Sequence, residues 1–318
     1  MKWQFSSLYF ASLSDYLQTI KHFDQSAMQV SDGQYNASSE TMSFPMFDLM
    51  RVSMECRTIY HGMGEKGYIY IVIPEGNINI HVNGYEISYN ELYVLSPEEE
   101  LLATFPEHFT GYYLSIKKEI LGSLIGGDSV NHLLKNASFI RSGEIVLPYL
   151  SSFKAQLIGN IKFSMEKRQY FSKIIAGDIQ DNILSSLANL FSKSELDVSW
   201  EPKYNKRYEI MKRALAYIDN SGKTMITVAD LARSTFCSLR TLQYAFEKTV
   251  GLSPKQYLIF RRMNFIRNEF QKGDLSGVGK GLLEYGVVNF GRFSQDYNSL
   301  FGEFPKETLK FARSKSSL

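Results

Sequence analysis

Seven side chains near the carboxy terminus carry the donors and acceptors that read base edges: Arg240, Thr241, Gln243 and Tyr244, then Arg292, Ser294 and Gln295. Arginine pairs with guanine through two hydrogen bonds, and glutamine does the same with adenine, in the major groove. The bland reading of such residues is a solvated helix face, and in an isolated helix it would be preferred. Repetition decides otherwise. Leu242, Phe246, Val250, Gly251 and Pro254 recur 51 positions later as Phe293, Tyr297, Phe301, Gly302 and Pro305. Two like modules imply two matched contacts on a periodic partner, and the major groove of duplex DNA returns to one face about every 34 Å.

The elements that must position these residues follow from capping and periodicity. Thr227 is placed to cap a helix through Val228, Leu231 and Ala232, with Asp230 at the capping-box position. A turn at Phe236-Cys237-Ser238 follows, and Ser238 caps a second helix whose inward residues are Leu242, Phe246 and Val250. The second module runs from Ser276 through a turn at Gly286-Val287-Val288 to a helix opened by Asn289, with Phe293, Tyr297 and Leu300 inward. Between them, Ser253-Pro254 opens an amphipathic helix ending near Gln271, about 27 Å long and able to hold the readers roughly one DNA turn apart.

Charge is divided in the same way. Residues 203–318 hold 20 Lys and Arg against 10 Asp and Glu, and residues 1–202 hold 15 against 23, so a net +2 conceals +10 and −8. One half attracts polyanions and the other repels them. Two cysteines, Cys56 and Cys237, in different halves exclude a disulfide framework and fit a reducing cytoplasm. Gln4, Ser6, Ser7 and Asp15 interrupt any signal-peptide core, and no window reaches the ~20 apolar residues of a membrane span, so a cytoplasmic protein is expected.

The amino-terminal half reads as strands over residues 44–116. Ile78, Ile80 and Val82 alternate with polar residues, Gly67 opens a Tyr/Ile/Val run, Pro74-Glu75-Gly76 turns the chain, and Asn83-Gly84 is a hairpin signal before a strand over residues 85–95. A small barrel or double-sheet roll is expected. Ile120, Leu121, Leu124 and Ile125 then mark a helix ended by Gly126-Gly127-Asp128. Over residues 171–191 the positions Ile174, Ile175, Ile179, Ile183, Leu187, Leu190 and Phe191 form one helical stripe, which either docks on its own domain or pairs with a mate in a homodimer. The predicted fold is α+β: a cupin-like β-barrel or roll with a helical extension over 1–192, a linker at 193–206, and an all-α pair of helix-turn-helix modules over 207–318.

The carboxy-terminal pattern resembles the AraC/XylS family of bacterial transcription regulators over about residues 205–312. The resemblance is carried by Leu231-Ala232, Ser238, Leu242, Phe246, Gly251-Leu252-Ser253-Pro254, Tyr257, Arg262 and Arg267, then Gly286, Phe293, Tyr297, Phe301-Gly302 and Pro305. Arg240-Thr241-Leu242-Gln243 and Phe293-Ser294-Gln295-Asp296-Tyr297 look most like activators of the ethanolamine-utilisation type. The resemblance implies base-reading roles for Arg240, Gln243, Tyr244, Gly291, Arg292, Ser294 and Gln295, of which Gly291 has no side chain to read with. It also implies promoter DNA and RNA polymerase as partners, a nucleoid location, and a small-molecule effector in the barrel. The chain departs from the family at Gly277, Gly279 and Gly281, with Gly281 at a usual Ile position, so the second module is expected to be the looser one.

Arg51, Arg57, Tyr68 and Tyr70 are candidates to line a pocket for an anionic effector. His22, His61, His81, His108 and His132 are scattered, so no metal and no cofactor is expected. Cys237 is read as a small buried thiol rather than a redox sensor. No phosphate-cradling glycine loop, serine elbow or Cys-x-x-Cys motif accompanies these residues, and no enzyme is expected. Two alternatives stay open: a metal-dependent cupin enzyme tethered to DNA, with ligands drawn from His61, His81 or His108, and a regulator controlled by a protein partner that docks on the 171–191 stripe.

Overall fold

The computed structural model describes residues 3–89, 91–96, 99–136, 139–141, 147–166, 173–194, 205–221, 225–272 and 278–315. Two antiparallel sheets form the amino-terminal half. The first, seven-stranded, runs in the order β1 (Gln4–Phe10), β3 (Ala37–Ser43), β4 (Phe47–Met54), β11 (Phe109–Lys117), β6 (Tyr68–Pro74), β9 (Glu91–Leu95), β12 (Phe139–Arg141). The second has five strands in the order β2 (Phe23–Gln29), β5 (Thr58–Gly64), β10 (Glu100–Phe105), β7 (Ile80–Val82), β8 (Tyr85–Ile87). This is the expected double-sheet roll, and helix α1 (Leu13–Leu17) packs Leu13 and the fully buried Tyr16 into its core.

The hairpin at Asn83-Gly84 forms as expected: Val82 pairs with Tyr85, and both turn residues have positive φ, 49° and 80°. Two expectations about strands need correction. The chain from Tyr85 to Leu95 is broken into β8 and β9, which lie in different sheets. The roll also begins 40 residues before residue 44, with β1, β2 and β3, of which β2 and β3 are rich in polar and small residues and carry a weak hydrophobic period.

Helices α2 (Lys118–Ile125), α3 (Gly127–Asn136), α4 (Leu147–Glu166) and α5 (Lys173–Ser194) follow. Gly126, at φ 92°, ends α2 as expected, but Gly127 opens α3 at once. The stripe on α5 is consumed within the chain. Ile179, Ile183, Leu187, Leu190 and Phe191 are buried with Phe153 and Leu157 of α4 against Ile71, Ile73 and Leu114 on the outer face of the seven-stranded sheet. Burial of each such side chain stabilises by about 1.5–3 kcal/mol, enough to fix the helix on its own domain. Ile174 alone of the stripe is largely exposed, at 77%, and Phe171 lies outside the described residues. The surface assigned to a mate or a protein partner is therefore occupied from within.

The carboxy-terminal half consists of α6 (Lys206–Asn220), α7 (Val228–Ser234), α8 (Leu239–Val250), α9 (Pro254–Lys272), α10 (Val278–Glu284), α11 (Phe290–Phe301) and α12 (Pro305–Lys315). Ser276 and Gly277, where the second module was expected to open, lie outside the described residues. Among the described residues no helix is long and apolar enough to cross a membrane. Both cysteines are free thiols, Cys56 buried and Cys237 partly so.

Candidate nucleic-acid interface and barrel cavity

Helix α7 starts where a capping box satisfies two otherwise unpaired groups: Thr227 Oγ1 accepts from Asp230 N at 3.2 Å, and Asp230 Oδ2 accepts from Thr227 N at 2.9 Å. The Thr227 hydroxyl, which also donates to Asp230 Oδ2 at 2.6 Å, then the Thr227 N–H and Arg233, hold the Asp230 carboxyl down at about 2. Helix α8 is capped by Ser238 Oγ, which accepts from Thr241 N at 3.1 Å, and α11 by Asn289 Oδ1, which accepts from Arg292 N at 3.0 Å. Each ends in a left-handed glycine, Gly251 at φ 66° and Gly302 at φ 70°. Leu242, Ala245, Phe246 and Val250 face inward on α8, as do Phe293, Tyr297, Leu300 and Phe301 on α11.

The opposite faces are open. Arg240, Thr241, Gln243, Tyr244, Arg292 and Gln295 are exposed, and Ser294 is half-buried. Gln243 donates to Glu247 at 2.9 Å. The Tyr244 ring lies beneath the Arg207 guanidinium, 5.6 Å from its centroid, and beneath the Lys248 ammonium at 6.0 Å. Arg292 keeps 80% of its side chain exposed, with Asp296 3.8 Å away.

The two modules are not quite copies. Helices α7 and α10 end 50 positions apart, at Ser234 and Glu284, whereas α8 and α11 begin 51 apart, at Leu239 and Phe290. The extra residue is in the second turn. Phe236 and Gly286 take the same left-handed place, φ 54° and 68°, and Val288, 90% exposed, lengthens the path to the Asn289 cap.

Helix α9 joins the modules through 19 residues, about 28 Å of helix. Its Arg267 is nearly buried, donates to Glu303 at 2.9 Å and lies over the Phe301 ring at 4.6 Å. Arg262 donates to Gly286 O at 3.4 Å. Both arginines thus fasten the connecting helix to the second module and are spent on structure.

Sequence reasoning missed the joint between the halves. Met28, Val30, Ile59 and Leu102 of the roll share one apolar core with Ile210, Met211, Leu231 and Phe246. Asn264 on α9 pairs with the Gln29 backbone, donating to its carbonyl at 2.8 Å and accepting from its N–H at 2.9 Å. The roll also reaches the carboxy-terminal ends of both exposed helices, where backbone carbonyls lack partners within the helix. Arg57 donates to Val250 O at 2.8 Å, Gly33 N to Ser299 O at 3.0 Å, and the Gln29 side chain to Leu300 O. Gly251 abuts the Arg57 guanidinium, and a Cβ on Gly302 would stand 3.1 Å from Gln34 N. The signal that could have pointed here is the pair of capping glycines, which a helix-by-helix reading treats as local.

A cavity opens within the roll, lined by Phe23, Tyr60, Tyr70, Val72, Phe105 and Tyr113 among others. Of the four residues expected around an effector, only Tyr70 lines it; its hydroxyl accepts from Glu65 N at 2.8 Å and donates to His22 O. Arg51 is instead held by Glu75 at 2.9 Å and Glu40 at 3.4 Å. Burial works against its charge, but the Glu75 carboxylate keeps its pKa above the usual value. Arg57 is on the joint, where burial lowers its pKa. Tyr68 stacks on His22 at 4.1 Å. Among the described residues no group of three or more His, Cys, Asp or Glu is placed to hold a metal ion. His61 is taken up by Glu100 at 2.6 Å.

Residues 231–310 match the family model described as a helix-turn-helix domain. Over 281 residues the chain is 26% identical to the XylDLEGF operon transcriptional activator 1 of Pseudomonas putida, covering 86% of this chain and 81% of that protein. Among solved structures it is similar to the AraC-like transcriptional activator CuxR, at 13% identity and a TM-score of 0.44, covering 89% of this chain and all of that one. It is also similar to ToxT from Vibrio cholerae O395, at 14% identity and a TM-score of 0.30, covering 97% of each.

Proposed function

We propose that this chain, a member of the AraC/XylS family by its carboxy-terminal helix-turn-helix domain, is a transcription activator that reads promoter DNA with α8 and α11 under the control of a small molecule held in its amino-terminal roll. The observation that carries the reading is the pair of equally capped helices presenting Arg240, Gln243, Arg292 and Gln295 to solvent while the docked roll grips their far ends. It is a regulator and not an enzyme, as its relatives are. Residues 1–192 sense, residues 207–318 read, and 193–206 join them; the bound chain acts in the nucleoid by contacting RNA polymerase, with homodimerisation a further expectation.

Strand β2 supplies the route from signal to reader. Phe23 and Gln25 border the cavity, and four residues further along the same strand Gln29 meets Asn264 and Leu300, about 13 Å away. A ligand that shifts β2 alters both the connecting helix and the end of α11 together, which is the differential contact a switch requires. Selection of bound sites from random duplexes, followed by footprinting, tests the reading. The expected result is two protected segments on one face about one helical turn apart, with a log-log salt slope of about −0.9 per phosphate neutralised. A single contact, or binding indifferent to sequence, would overturn it.

A further inference from the structure

Both reading helices are entered through exposed apolar side chains. Among the large apolar residues described, Val288 and Phe236 are the two most exposed, at 90% and 88%, and each stands in the turn that leads into a reading helix. Leu239 and Phe290, the first residues of α8 and α11, are exposed as well. None of the four joins the apolar cores of the two modules. A single exposed apolar side chain needs no explanation. The same pairing of turn residue and first helical residue in both modules does, since neither core uses it.

The first turn adds to the case. Phe236 holds the left-handed conformation that glycine holds in the second module, φ 54° against 68° at Gly286, so a bulky side chain is kept where bare backbone would sit without strain. The apolar pairs are also continuous with the base-reading residues. Arg240 follows Leu239 directly, and only Gly291, which has no side chain, separates Phe290 from Arg292. The amino-terminal residues of a recognition helix reach base edges in the major groove, and the apolar group presented there is the C5 methyl of thymine. With 20 Lys and Arg against 10 Asp and Glu in residues 203–318, charge favours duplex DNA over an apolar protein surface as the occupant.

We propose that Leu239 and Phe290 are specificity residues, each covering the C5 methyl of a thymine in its own half of the DNA site, with Phe236 and Val288 closing the contact from the turns. This inference rests on the proposal that α8 and α11 read the DNA.

Replacing thymine by deoxyuridine removes the methyl and leaves the hydrogen-bonding groups of the base in place. Anisotropy titrations of the full chain on its selected duplex, with the thymines replaced one at a time, should find at least one in each half whose replacement weakens binding about fourfold, the worth of one buried methyl. Leu239→Ala should abolish that sensitivity in the half read by α8 alone, and Phe290→Ala in the half read by α11 alone, while Leu239→Met should keep it. Each result is a ratio between two duplexes on one protein sample, so partial unfolding of a variant cancels. Methyl sensitivity at no thymine overturns the assignment and leaves the four side chains to a protein partner; sensitivity that an alanine variant retains in its own half overturns it too. Selective binding that is indifferent to the methyls sinks this inference alone, whereas the absence of any selective binding sinks the DNA-reading proposal beneath it.

Discussion

Arg292 makes the most decisive single test, because its guanidinium projects from the first turn of α11, 80% exposed, with Asp296 3.8 Å away. Arg292→Ala should weaken binding to the selected site by about 1–3 kcal/mol and relax preference at one base position, as read by repeating the selection with the variant. An unchanged sequence profile would remove it from the reading set. Asp230 offers a test in solution without DNA. Its folded pKa of about 2 lies below the usual 3.8, so the stability it confers is complete above about 4 and is lost as the pH falls through 2. A carboxyl titration by NMR should place its midpoint near 2, and a midpoint near 4 would mean the capping box is not formed. At this scale helices α8 and α11 were legible because their outward residues interrupt a strict inward pattern at Leu242, Phe246, Phe293 and Tyr297. Arg51 and Arg57 were not, since a lone arginine in a strand region says nothing about which carboxylate or carbonyl the fold brings to it.

Among the elements, α8 and α10 invite opposite glycine substitutions. Gly279 in α10 has room for a side chain, a Cβ there meeting only the Phe290 ring at 3.9 Å. Gly279→Ala should stabilise the second module by about 0.5–1 kcal/mol and slow amide exchange across α10, supporting the view that this module is the looser. Gly251→Ala should do the reverse. The left-handed conformation costs a non-glycine residue about 1–2 kcal/mol, and the added methyl displaces Arg57 from Val250, so thermal unfolding should occur earlier. Capping signals made the boundaries of α7, α8 and α11 readable to the residue. The first three strands were not readable, because β2 and β3 hold few large apolar residues and the pairing is decided by partners up to 41 residues away.

For the whole molecule, the joint is the feature that local periodicity cannot announce: Gln29 and Asn264 are 235 positions apart and meet only once both halves have folded. Asn264→Ala removes both hydrogen bonds to the Gln29 backbone. Small-angle scattering should then report a more extended chain, and any effect of a bound small molecule on DNA affinity should shrink while affinity for the ligand stays the same. Preserved coupling would mean that the signal takes another route. The unequal turns have a consequence of a different kind. Modules repeated head to tail, one carrying the extra Val288, are related by no twofold axis. The site that a single chain recognises consequently has a front and a back. Inverting that site in front of a gene reverses the direction in which the bound molecule points, and a promoter served by it must carry the element in one orientation only.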